Sequence, residues 1–130
     1  MHSTHFSEAE LACHHCGVNG VVQELLDALE AFRLKAGAPV IVNCAYRCPV
    51  HNTEVGGVPD SQHVLGRAAD IQVLGKTARE LYGVATQVPQ IKGLGVSDHQ
   101  QYLHIDVRES MLVARWCYSE TGGVVPFHEA

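Results

Sequence analysis

Long hydrophobic runs are missing from this 130-residue sequence. Its apolar runs fall far short of the ~18–20 residues that cross a bilayer, so we expect no membrane span. Lysine and arginine form no block and the net charge is −5, which argues against nucleic acid as a partner. The first 17 residues lack the basic start and apolar stretch of a secretory signal. We therefore expect a chain that is cytoplasmic as synthesised, or that leaves the cell on lysis.

The composition is that of a soluble globular protein. Apolar residues make up 46% of the chain and charged residues 18%, and this length suffices to bury one hydrophobic core. The sequence contains no internal repeat, low-complexity stretch or linker. It predicts a single domain over residues 1–130, in which residues 1–19 form an irregular N-terminal arm, and we expect a monomer.

Histidine and cysteine are unusually frequent. The chain has nine histidines and five cysteines, and an odd number of cysteines argues against a complete disulfide framework. Cys13 and Cys16 form a C-x-x-C pair, and Cys44 and Cys48 are spaced one residue wider. A four-cysteine structural zinc site and a bridge from Cys48 to Cys13 or Cys16 are both open interpretations. Cys44 lies in a strand-like run and is expected to point inward.

Hydrophobic periodicity predicts two helices and several strands. The helices are expected over Gly20–Ala36, closed by Gly37, and over Thr77–Val88, and a capping box of Ser7 and Glu10 predicts a short helical turn before them. The predicted strands are Pro39–Arg47, Ala68–Leu74, Gly93–Ser97, Tyr102–Arg108 and a possible edge strand that contains Trp116 and Tyr118. Cys48–Gln62 is expected to be a long, functional loop. The fold class predicted is α+β, a small mainly antiparallel sheet with helices packed on one side.

Two histidines and one carboxylate stand where adjacent strands would bring them together. The segment SQHVLGRAAD, residues 61–70, places His63 before a strand and Asp70 within it. His104 lies on the polar face of the strand YLHIDVR, next to Asp106. Such a set provides three zinc ligands and leaves the fourth position open for water, as catalytic zinc sites do. Asp106 is expected to support a ligand from behind.

These motifs resemble those of the zinc D-alanyl-D-alanine peptidases of the M15 type, whose fold is shared with the Hedgehog signalling domain. The likeness comprises SxHxxGxAxD at 61–70, HxD at 104–106, AYRCPVHN at 45–52, GLG at 93–95 and Trp116. It implies one Zn²⁺ per chain, held by His63, Asp70 and His104. It also implies hydrolysis of peptidoglycan stem peptides next to a D-amino acid, by a carboxypeptidase or an endopeptidase.

The resemblance assigns further roles around the metal. Arg47, always charged, would stabilise the oxyanion that develops on the attacked carbonyl. Ser61, Gln62 and Tyr102 are predicted to bind the substrate, and capping of the turn is an equally open role for Ser61.

The general base is where the sequence departs from its relatives. They place an acidic residue three positions before the third ligand or a histidine two before, and this chain has Gln101 and Tyr102 there. Glutamine cannot accept a proton, and tyrosine is a poor base. Asp98, or else His99, in the turn SDHQQ is therefore predicted to be the base, with the pKa of Asp98 raised by partial burial.

Other interpretations compete with a peptidase. A zinc-binding module of the same fold without catalysis is the main alternative, and a structural zinc ribbon is another. His14 and His15, next to cysteines, could bind adventitious metal. If the chain is a peptidase, a phage or prophage lysis enzyme and a cytoplasmic peptide-recycling enzyme are both compatible with the sequence.

Overall fold

The computed structural model describes residues 3–58 and 61–129 and contains both helices and strands. The four helices in this part of the chain are α1 (Glu8–Leu11), α2 (Gln23–Ala36), α3 (Pro49–Glu54) and α4 (Ala78–Ala85). Its six strands are β1 (Ile41–Cys44), β2 (Ala68–Gln72), β3 (Gly93–Ser97), β4 (Tyr102–Asp106), β5 (Ala114–Tyr118) and β6 (Val124–Pro126). No helix among these residues is long and apolar enough to cross a membrane.

The six strands form one sheet in the order β1-β2-β4-β3-β5-β6. Every neighbouring pair is antiparallel except β3 and β5, which run parallel. The prediction of an α+β fold around a small, mainly antiparallel sheet is confirmed.

The core lies between the sheet and helices α2 and α4. The apolar stripe of α2 is fully buried, and Gly37 ends this helix in a left-handed conformation with φ 68°. The stripe consists of Leu25, Leu26, Leu29 and Phe32. From the sheet, Leu103 and Ile105 of β4 enter the same core, so the alternate residues His104 and Asp106 must point to the opposite face. That face carries the candidate site.

Several boundaries differ from the sequence prediction. The long loop after Cys48 contains helix α3, which starts with Pro49 in its first turn and Cys48 as N-cap; residues 59 and 60 lie outside the described part of the chain. Helix α2 starts at Gln23 rather than at Gly20. The strand around Trp116 is not at the edge of the sheet, because β6 pairs with it.

Candidate metal centre

Three side chains converge on the face of the sheet opposite the core. Asp70 of β2 and His104 of β4 are direct partners in the antiparallel register, and His63 precedes β2. The Oδ1 atom of Asp70 lies 3.3 Å from Nε2 of His63 and 3.1 Å from Nδ1 of His104. Both histidines are buried. The structure thus brings together the three residues that the sequence predicted as metal ligands.

The second nitrogen of each ring is already occupied. Nδ1 of His63 lies 2.8 Å from the carbonyl oxygen of Ala45, and Nε2 of His104 lies 2.8 Å from Oδ2 of Asp106. Carbonyl and carboxylate oxygens only accept hydrogen bonds, so each of these nitrogens carries its ring's proton. When the rings are neutral, Nε2 of His63 and Nδ1 of His104 therefore carry lone pairs and no proton. They face Oδ1 of Asp70, which can also only accept a hydrogen bond. A cation satisfies all three atoms, and nitrogen and carboxylate ligands suit Zn²⁺.

The electrostatics of the site also favour a positive charge. Burial alone would lower the pKa of His63, but the carboxylate of Asp70 outweighs it and raises that pKa to about 10. Burial would likewise raise the pKa of Asp70, whereas His63 and His104 hold it well below its ordinary range. The carboxylate therefore stays ionised and holds a positive charge beside it.

Asp106 fixes the orientation of His104 from behind. It is fully buried, and besides His104 it accepts hydrogen bonds from the guanidinium of Arg108, with Nε at 2.8 Å and Nη2 at 2.7 Å. Burial would raise its pKa, but Arg108 and His104 lower it. Gly93 lies opposite Asp106 in the sheet, and a Cβ at Gly93 would collide with this carboxylate. The expected contact between Asp106 and His104 is present.

A cleft of about 520 Å³ opens above the three converging side chains. Ser61, Gln62 and Tyr102, the predicted substrate-binding residues, all line it. Burial raises the pKa of Tyr102 to about 12, so its hydroxyl remains protonated at neutral pH. Trp116 and Tyr118 of β5 form an aromatic wall.

Arg47 lines the same cleft. Its Nη2 donates to Ser61 Oγ at 3.3 Å, and its buried Nε has no hydrogen-bond partner among the described residues. Arg108, which also lines the cleft, is by contrast paired with Asp106. In the described part of the chain Arg47 forms no ion pair, so its charge is available to a ligand in the cleft.

The structure does not bring the predicted base to the cleft. Asp98 accepts two hydrogen bonds from Arg79, at 3.0 and 2.8 Å, and neither Asp98 nor His99 lines the cleft. The hydrogen bond from Arg79 lowers the pKa of Asp98, where we expected an increase. The turn points the other way because Gln101, in a left-handed conformation with φ 54°, accepts from the amide of Ala78 at the start of α4. The assignment of a base to this turn stays a prediction, which the observed contacts of Asp98 do not support.

The sequence reasoning missed Arg108 and Tyr118 as cleft residues. Arg108 follows His104 at a spacing of four in the predicted strand Tyr102–Arg108, which places both on one face, so the sequence carried a signal for it. The glycines of GLG, residues 93–95, were a second signal in the sequence. A Cβ at Gly95 would collide with Trp116. These glycines make room on the sheet for the side chains of the site.

Cys44 does not point into the core. Its sulfur lies 3.9 Å from Nδ1 of His63, whereas Cys13, Cys16 and Cys48 form a separate group whose sulfurs lie within 4.8 Å of one another. The four-cysteine arrangement that the spacings allowed is therefore wrong, because Cys44 lies beside His63 and not with the other three cysteines.

Comparison with known proteins gives one family. A family model described as Peptidase M15 matches residues 4–106, a range that contains all three converging side chains and Arg47. No curated protein matches the chain.

Proposed function

The chain belongs to the peptidase M15 family, and we propose that it is a zinc-dependent peptidase that cleaves peptidoglycan stem peptides next to a D-amino acid, as a D,D-carboxypeptidase or an endopeptidase. The observation that carries this proposal is the convergence of His63, Asp70 and His104 on one point at the floor of an open cleft. Zinc bound there would lower the pKa of a water molecule to about 7 and polarise a peptide carbonyl.

Arg47 supplies the fixed positive charge of the cleft. An N–H donor aimed at a developing oxyanion is worth most where water is excluded, and Nε of Arg47 is buried with no partner among the described residues. Ser61 accepts from the guanidinium and also from the amide of His63 at 3.2 Å. It therefore holds Arg47 in place relative to a metal ligand.

Other cleft residues are suited to bind a peptide. The Oε1 atom of Gln62 and the Nε1 atom of Trp116 are buried without hydrogen-bond partners in the described part of the chain. A peptide N–H can donate to Oε1 of Gln62 if this side chain turns towards the cleft, whereas Nε1 of Trp116 lies against Gly95 of the sheet. The protonated hydroxyl of Tyr102 is a further donor to the substrate.

A non-catalytic zinc module is the second candidate. Asp70 is the only carboxylate that lines the cleft among the described residues, and it is already proposed as a metal ligand. Among the described residues, the cleft therefore has no carboxylate left over to act as the proton acceptor that related enzymes provide, and this observation favours a binding role over turnover.

Mass spectrometry of stem peptides incubated with the zinc-loaded protein separates the two candidates. The peptidase proposal predicts release of a C-terminal D-alanine or cleavage of a D-Ala cross-link, and peptides with L-alanine at the same position should remain intact. Arg47→Ala should keep its zinc and lose about 10²–10³ in kcat. Arg33→Ala, on helix α2 behind the sheet, is the matched control and should retain full activity. A zinc-loaded protein that binds these peptides without cleaving them would establish the module instead.

A further inference from the structure

The N-terminal arm ends in a tight turn that aims two cysteines in one direction. Cys13 donates its amide to the carbonyl of Val18 and accepts from the amide of Gly17, both at 2.8 Å. Gly17 has φ 75°, a left-handed conformation that glycine adopts without strain. The turn brings the sulfurs of Cys13 and Cys16 close together, at the C-x-x-C spacing typical of structural zinc sites.

A third cysteine comes from a distant part of the chain. Cys48 is the N-cap of α3, where its sulfur accepts from the amide of His51 at 3.4 Å. Its own amide donates to the sulfur of Cys13, also at 3.4 Å. The sulfurs of Cys13, Cys16 and Cys48 all lie within 4.8 Å of one another. Zn–S bonds of about 2.3 Å in tetrahedral geometry separate neighbouring sulfurs by about 3.8 Å, so small side-chain rotations suffice to bind the ion.

His15 lies beside Cys48 and is the candidate for a fourth ligand, although its ring must rotate to reach all three sulfurs, since only the cysteines lie within 4.8 Å of one another. Its Nδ1 is 3.6 Å from the sulfur of Cys48, and a nitrogen and a sulfur on one tetrahedral zinc are separated by about 3.6 Å. The ring stacks on that of His51 with centroids 5.9 Å apart, and its Nε2 faces Glu54 at 4.0 Å. A carboxylate beside the second ring nitrogen is common for histidines that bind metals.

We propose that Cys13, Cys16, Cys48 and His15 hold a second zinc ion, in a closed structural site separate from the cleft. Four protein ligands leave no position for water, which is the mark of a structural rather than a catalytic zinc. A disulfide would join two of the three sulfurs and leave the third and the histidine without a role. The ion is bound by thiolates, so binding releases the thiol protons to solvent.

The position of this site indicates what the ion does. It ties the N-terminal arm to the start of α3, directly after Arg47. The segment that follows α3, residues 55–58, forms part of the cleft wall. The second zinc therefore fixes the arm, Arg47 and this wall relative to one another. The inference does not depend on the peptidase activity, because it concerns different residues and a different ion.

The metal content of a His63→Ala, Asp70→Ala double variant tests the proposal, because this variant keeps only the cysteine site. Purified and dialysed under reducing conditions, it should retain one zinc per chain, and after exchange with Co²⁺ it should show the near-ultraviolet charge-transfer absorption of thiolate-bound cobalt. In this background Cys16→Ser should abolish the absorption. Cys16 is exposed, so its replacement does not disturb the core. Cys44→Ser, the matched control, should leave the absorption unchanged.

The fourth ligand is tested by two histidine variants in the same background. His15→Ala should weaken Co²⁺ binding at least about 10-fold, since even indirect partners of a metal contribute that much, whereas His51→Ala should change it less. A double variant that holds no metal, or a charge-transfer absorption that survives Cys16→Ser, would overturn the proposal. A disulfide between Cys48 and Cys13 or Cys16 would also overturn it. The disulfide would be seen by mass spectrometry in protein purified without reductant, and the protein would still bind no zinc at the cysteines after reduction.

Discussion

Replacing Asp106 by asparagine should weaken zinc binding although Asp106 does not face the metal. The carboxylate accepts four hydrogen bonds, one from His104 and three from Arg108. Asparagine has a single oxygen, so its NH₂ group must face one of these donors. If it faces His104, the proton moves to Nδ1, the atom that would bind the metal. If it faces Arg108, two donors meet in a buried site.

The substitution should lower both the zinc affinity and the free energy of unfolding. Loss of an indirect partner of a metal ligand costs about 10–100-fold in affinity, or about 1.4–2.7 kcal/mol. The unsatisfied buried groups should also lower the free energy of unfolding by about 1–3 kcal/mol. Competition with a chelator at fixed pH, in the Cys16→Ser background, measures the affinity of the histidine site alone. Asp98→Asn is the matched control, because Asp98 also accepts two hydrogen bonds from an arginine but contacts no ligand. Equal zinc affinity in the Cys16→Ser background with and without Asp106→Asn would refute the role assigned to Asp106.

Three further predictions concern other parts of the molecule. Gly93→Ala should lower the free energy of unfolding by about 1–3 kcal/mol because its Cβ collides with Asp106, whereas Gly83→Ala, at an open helical position, should raise it by about 0.4–1 kcal/mol; urea denaturation measures both. Asp98→Asn should leave the turnover of stem peptides within about twofold, since Asp98 lies outside the cleft; a loss near the ~10²-fold of a true base would contradict this. Glu30→Gln should be less stable than wild type at pH 7, and the difference should disappear as the pH falls from about 4.5 to about 2. Although burial opposes it, the pKa of Glu30 is lowered to about 2 by hydrogen bonds, so its contribution is present above the unfolded pKa and is lost on acidification; a constant difference would contradict this.

The convergence of Asp70 and His104 could be predicted because local patterns determine their placement. The alternation of Tyr102–Arg108 puts His104 on one face of a strand, and Asp70 lies on the adjacent strand in direct register. The fold class followed from the same periodicities. Helix α3 also had a local signal, since Pro49 stands in the first turn after a capping residue, but the prolines and glycines around it favoured a loop.

The turn Ser97–Gln101 shows where local reasoning ends. The direction of the turn after β3 depends on Arg79, 19 residues earlier, and on the amide that caps α4. Neither partner can be identified from the turn itself. Strand β6 was missed for the same reason, because its three residues acquire strand structure only by pairing with β5. The cluster of Cys13, Cys16 and Cys48 likewise depends on a tertiary contact between the arm and α3.

Anomalous X-ray diffraction at the zinc absorption edge, from a crystal of the zinc-loaded protein, tests the central claim most directly. The account predicts a strong peak between Nε2 of His63, Oδ1 of Asp70 and Nδ1 of His104, with its open side towards the cleft and Arg47. The absence of a peak at that point, with zinc found only among the cysteines, would contradict the assignment of a metal centre to the cleft.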